Sequence, residues 1–304
     1  MINMQNNRLK YIFIFILGLI IFSKTQISAE PRLNIFVSIV PQKYFVEKIG
    51  KSRVNVNVMV KPGASPATYE PKPRQMVVLS KTRLYFAIGV AFEQSWLKRI
   101  ASANPNMEII HTDEGIRKIA MESHLDHEDE HDETPDDHSE NHKGLDPHIW
   151  LSPSLVMVQA KKILDGLQKI DPTHQNEYDR NYQSFMAEIE NLDHSLKSTF
   201  ADQNDLQFIV FHPSWGYFAR DYKLQQIPIE IEGKNPKPAQ LKELIKQARK
   251  NHIQIIFVQP QFSTRSAKLV ARAIRGEVVF ADPLAENWMK NLRAVAEKFK
   301  KAIK

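Results

Sequence analysis

Eight short apolar runs punctuate the chain, with polar and apolar positions recurring at helical spacing between them. The first four are LNIFVSI (33–39), VNVNVMV (54–60), LYFAIG (84–89) and MEIIHT (107–112). After a gap come LQFIVFH (206–212), QIPIEI (226–231), IQIIFVQ (253–259) and EVVFA (277–281). Strand-length runs that alternate with helical patterns predict α/β units and parallel pairing. Between the two sets, Tyr178, Tyr182, Phe185, Ile189, Leu192, Leu196 and Phe200 recur at steps of three or four, marking one face of a long helix over 172–200. Pro172 near its start suits the first turn. The fold class expected is α/β: two lobes, each with a four-stranded mainly parallel sheet, joined by one long backbone helix. A single stiff connector resists the wide hinge motions that several flexible crossings permit.

The N-terminus follows another pattern. Arg8 and Lys10 precede an apolar run from Tyr11 to Phe22, and Ala29 offers a small residue for cleavage. That run is shorter than the roughly 20 residues of a membrane span. The predicted organisation is a signal peptide at 1–29, an N-terminal α/β lobe at 30–170, a linking helix at 171–201 and a C-terminal α/β lobe at 202–304. Export to the periplasm follows as the expectation. The chain has no cysteine, which excludes disulfides and thiolate metal sites and removes the residue a lipid anchor would need.

A net charge of +6 would suggest nucleic acid, but its distribution argues otherwise. Glu122–His142 holds ten carboxylates and no lysine or arginine, and the positive charge elsewhere forms no stripe interleaved with aromatic residues. Within that acidic stretch, HLDHEDEHDETPDDHSENH (124–142), lie five histidines: His124, His127, His131, His138 and His142. A segment so charged and so poor in apolar residues cannot offset its ordering entropy, so residues 122–143 are expected to be a mobile loop. Mixed imidazoles and carboxylates provide many weak, exchangeable places for divalent cations.

In open parallel sheets, ligands bind beyond the carboxyl ends of the strands. Reading those ends and the helix start after the acidic loop singles out His148, His212 and Asp282. Each is adjacent to a proline (Pro147, Pro213, Pro283), which limits the backbone freedom lost in aiming the side chain. Imidazole nitrogen and carboxylate oxygen form a ligand set for a borderline ion such as zinc.

These residues sit in PGASPATYEPKPRQM, LDPHIWLSP, VFHPSWGYFARDY, EGKNPKPAQL, VQPQFSTRSA and ADPLAENW. Across nearly the whole exported part, the chain resembles the substrate-binding proteins of zinc/manganese ABC importers, the zinc-uptake-A type. The resemblance implies two lobes bridged by a backbone helix, a divalent metal ion held between them, and delivery to an ABC permease with its ATPase. It implies no catalysis, Zn2+ as transported ligand with Mn2+ or Fe2+ as alternatives, and a monomer. By motif it assigns His148, His212 and Asp282 as metal ligands.

One departure is plain. Where the family pattern reads P-H-x-Y-E, this chain reads SPATYEP, with Ala67 at the place of a ligand histidine. Three explanations stay open: water or a carboxylate such as Glu70 fills the gap; a histidine of the acidic loop completes the shell; or the cargo differs, for example a metal chelate. Glu230 and Glu232 are further carboxylate candidates, or they orient His212 from behind.

A metal-dependent hydrolase is the rival class, because three ligands and an open place can activate water. No H-E-x-x-H pairing supports it. IGKS (49–52) lacks the upstream glycine of a phosphate loop, with Phe45 in its place. The basic amphipathic stretch 234–252 reads as a solvated helix face rather than a membrane surface.

Overall fold

The computed structural model describes residues 31–121, 144–202, 206–230 and 236–301. The proposed leader, the histidine-rich stretch 124–142 and Glu232 lie outside the described residues. From Leu33 onward the chain forms one compact unit, and no described helix is long and apolar enough to cross a membrane.

The first sheet is made of β1 (Leu33–Val37), β2 (Val54–Val58), β3 (Leu84–Ala87) and β4 (Glu108–His111). The second comprises β5 (Leu206–Val210), β6 (Leu224–Pro228), β7 (Ile255–Val258) and β8 (Glu277–Phe280). Every pairing is parallel, in the orders β2-β1-β3-β4 and β6-β5-β7-β8. Central strands β3 and β7 are apolar on both faces, as parallel sheets covered by helices require. All four residues of β3, Leu84 to Ala87, are fully buried. Edge strand β2 instead alternates as VNVNV, with Asn55 exposed.

The expected runs are longer than the strands because residues at their ends, most often the last ones, lie outside the ladder. The sixth strand is displaced as well: it occupies Leu224–Pro228 rather than 226–231. Lys223 turns the chain with φ of 56°, so pairing starts at Leu224, opposite Leu206. Pro228, which has no N–H, closes this edge strand, where a missing donor is tolerated. Two further bonds, Ile229 N to Val210 O (2.8 Å) and Glu230 N to Phe211 O (2.9 Å), carry Glu230 onward.

Nine α-helices are assigned among the described residues. They are α1 (Val40–Gly50), α2 (Pro73–Leu79), α3 (Ala91–Ala103), α4 (Pro153–Ile170), α5 (Gln175–Thr199), α6 (Gly216–Asp221), α7 (Pro238–Lys250), α8 (Arg265–Ile274) and α9 (Trp288–Lys301). The connector is α5, 25 residues and about 38 Å long. It starts after a 3-10 turn at Pro172–His174 instead of at Pro172 itself. Its buried face is Tyr178, Phe185, Ile189, Leu192 and Leu196, joined by Asn181, whose Nδ2 donates to Ile49 O at 2.9 Å.

One continuous apolar core runs from Phe36 and Phe86 in the first sheet, through Phe185 and Ile189 of α5, to Phe208 and Phe257 in the second. A second cluster covers the other face of the second sheet, packing Ile209 and Ile256 against Leu244 and Val270. Helix α9 belongs to the chain's last segment yet reaches the first lobe. Its Trp288 ring meets Phe45 edge-on at 5.1 Å. Two indoles then lock the junction: Trp288 Nε1 donates to Trp150 O (2.6 Å) and Trp150 Nε1 to Pro283 O (2.7 Å).

A shared core predicts shared unfolding. In urea both lobes should lose structure in one transition, and Trp288→Ala should cost about 3–5 kcal/mol of stability. Trp288→Phe, which keeps an aromatic ring but not the donor, should cost less. Two separated transitions in the unaltered protein would contradict this account.

Candidate metal centre

His148 closes the segment Leu145–Asp146–Pro147 just before a 3-10 turn (Ile149–Leu151) and α4. Ser152 caps α4 by accepting from Leu155 N, which fixes where that turn must end. Asp146 folds back on His148: its Oδ1 accepts from the His148 backbone N–H at 2.8 Å and lies 2.7 Å from Nδ1. Asp146 is itself buried, and Tyr217 OH donates to its carbonyl at 2.8 Å. Gly216 makes room for its carboxylate, because a Cβ there would stand 2.9 Å from Oδ2.

His212 lies just past β5. Its backbone is held by Gln259, which accepts from His212 N (3.2 Å) and donates to His212 O (2.6 Å). Glu230, buried beyond β6, places Oε1 3.2 Å from His212 Nδ1. The ring stacks on Phe262, with centroids 4.9 Å apart. Both imidazoles therefore have a carboxylate on Nδ1, which selects the tautomer whose Nε2 carries a lone pair. Glu230 orients His212 from behind.

The two rings, one from each lobe, lie 5.3 Å apart between centroids at 71°. Burial holds His148 below the ordinary imidazole value, opposed by the Asp146 carboxylate beside it. The neutral, ligating form is thus favoured at neutral pH.

Asp282 is placed differently. Its Oδ1 accepts from Gln261 Nε2 (3.0 Å) and Leu284 N (2.9 Å), and Asn291 Nδ2 donates to its carbonyl (2.7 Å). Among the described residues, no group of three or more His, Cys, Asp or Glu side chains stands close enough to share a metal ion. The structure brings His148 and His212 together; Asp282 sits behind Gln261 and Leu284 with one oxygen engaged twice.

Both histidines open into a cleft of about 440 Å³. Its first-lobe wall includes Pro66, Ala67 and Val90; Gln261, Phe262 and Leu284 line the other side. Ala67 is exposed and borders the space where a longer side chain would project. Glu70 is exposed and does not line the cleft, so it does not fill that place. The loop Ile88–Val90 is fastened by buried Glu93, which accepts from Ile88 N (3.0 Å), Gly89 N (2.8 Å) and Ser38 Oγ. Gly89 has φ of +79°, and a Cβ on it would stand 2.3 Å from both Asp113 Oδ2 and Lys118 Nζ.

Sequence reasoning missed Asp146, Gln259, Gln261 and Phe262. Asp146 was in view, two residues before His148 across a proline. The others sit in VQPQF, where nothing but their place after a strand distinguishes them.

A family model described as "Zinc-uptake complex component A periplasmic" matches residues 35–302. The high-affinity zinc uptake system protein ZnuA of Bacillus subtilis is 26% identical over 262 residues, covering 83% of this chain and 79% of its own. A crystal structure of ZnuA superposes with a TM-score of 0.82 at 44% identity, covering 90% of this chain and all of that one. A ZnuA deletion mutant with zinc bound gives 0.80 at 43%, covering 90% of this chain and 98% of its own. The chain is a member of the ZnuA family, the periplasmic component A of zinc-uptake complexes.

Proposed function

We propose that this protein captures a divalent metal ion, zinc, in the cleft between its lobes and delivers it to an ABC permease and its ATPase. One observation carries the reading: imidazoles from two lobes converge, each with a carboxylate behind Nδ1 and Nε2 free to ligate. Zinc accepts imidazole nitrogen and carboxylate oxygen in a four-coordinate shell. His148 and His212 supply two places. Asp282 supplies a third by turning its carboxylate away from Gln261, a move the cation's charge drives. Mn2+ and Fe2+ accept the same donors and are the alternative cargoes.

The work is periplasmic, after removal of residues 1–29, and it is done by a monomer with lobes dividing around 171–201. Because the lobes share a core, delivery proceeds by displacement of the loops that carry the ligands rather than by wide opening of the cleft. The histidine-rich stretch 124–142 acts as a low-affinity reservoir that feeds the cleft. Catalysis is not part of this reading: among the described residues, the carboxylates nearest the imidazoles, Asp146 and Glu230, are engaged in orienting them.

His148→Ala and His212→Ala should each weaken zinc binding in calorimetry by at least about a hundredfold; unchanged affinity in both would remove the site. Glu230→Gln keeps the ring but replaces the anion behind it, and should weaken binding by about 10- to 100-fold. Elemental analysis should show several zinc ions per full-length chain and one after deletion of 122–143. A fall to none would make that stretch part of the main site.

A further inference from the structure

The cleft is large for a lone ion. A water molecule's share of volume is about 30 Å³, whereas this cleft, at about 440 Å³, lies in the range of small organic ligands. Its protein donors are also few: two imidazoles meet, Asp282 is held aside, and Ala67 stands where a longer side chain could enter. Pro66, Ala67, Val90, Ala91 and Leu284 provide an apolar lining that no bare cation requires.

At the first-lobe wall, Lys118 adds a positive charge. Its Nζ sits against Gly89, paired with Asp113 Oδ2 at 2.6 Å. That pair uses one of three ammonium donors. A cation-only site gains nothing from a lysine on its lining, whereas an anionic group entering beside a bound metal does.

We propose that the cleft takes the metal together with a small α-amino-carboxylate chelator, which completes the shell at the place of Ala67 and directs its carboxylate toward Lys118. The inference rests on the metal-capture reading above. The chelator's amine and a second donor fill the two coordination places beside the imidazoles, taking the one that Asp282 supplies when the ion binds alone. Its body covers the apolar wall, and its carboxylate meets the ammonium of Lys118. The cargo is then a ternary complex assembled in the cleft.

Native mass spectrometry of the full chain tests this, with zinc alone, zinc plus L-histidine, and zinc plus histamine, which keeps the chelating nitrogens but lacks the carboxylate. Adducts are assigned to the cleft where they vanish in His212→Ala. A protein–zinc–histidine species is expected, with little histamine counterpart. The ratio of ternary to zinc-only adduct should fall by at least about tenfold in Lys118→Met, as loss of a charged hydrogen bond implies. It should fall likewise in Ala67→His, whose imidazole would occupy the vacant place. A zinc-only adduct at every histidine concentration up to millimolar overturns the proposal, as does a ternary ratio unmoved in both variants. Complete absence of a cleft zinc adduct overturns the metal reading itself.

Discussion

Everything in this molecule depends on a core that does not stop at the lobe boundary. Phe45 from the first lobe packs with Phe185 of the connecting helix and with Trp288 of the last helix, and the two indoles exchange hydrogen bonds with each other's neighbourhood. Buried aromatic contacts of this kind each contribute about 0.5–1.5 kcal/mol beyond burial. Their positional effect matters more. His148 is two residues from Trp150, and Asp282 is next to Pro283, so the clasp that joins the lobes also sets the span between these candidate side chains.

Within that frame, the imidazoles are aimed by carboxylates rather than by steric confinement. Asp146 uses one oxygen for both the backbone N–H and the ring of His148. Glu230 reaches His212 from an adjacent strand end, and Phe262 covers the ring face. Both rings are therefore oriented by the fold itself, with little rotamer freedom left to them. Asp282 contrasts with both. Its Oδ1 is held by Gln261 and Leu284, so its orientation is set by an amide and a backbone N–H and not by a second carboxylate.

Much of this was legible in the residues. Each of the eight strands lies in or overlaps an apolar or alternating run of the sequence, β2 showing as the alternation VNVNV; the long helix announced its face through Tyr178 to Leu196. The sixth strand slipped because Leu224–Gln225–Gln226 carries no apolar alternation, while the better-patterned QIPIEI lies partly beyond the ladder. Proline adjacency exposed His148, His212 and Asp282 without revealing that the aspartate faces a glutamine. Gln259 and Gln261 escaped notice for a physical reason. An amide that braces a backbone or a carboxylate has no periodicity or spacing of its own; its role exists only once β7 lies beside β5.

The two sheets share one strand order, yet their crevices at the point where that order reverses are used in opposite ways. In the second lobe the crevice between β5 and β7 receives His212. In the first, the equivalent crevice between β1 and β3 is plugged by the chain's own carboxyl group, that of Glu93, satisfied by Ser38 and two backbone amides. The first lobe's imidazole at the cleft, His148, consequently comes from outside its sheet, just before the helix Pro153–Ile170. A duplicated architecture has thus become a lopsided pair, with one imidazole placed at a strand end and the other on a segment between a strand and a helix, where Asp146 holds it.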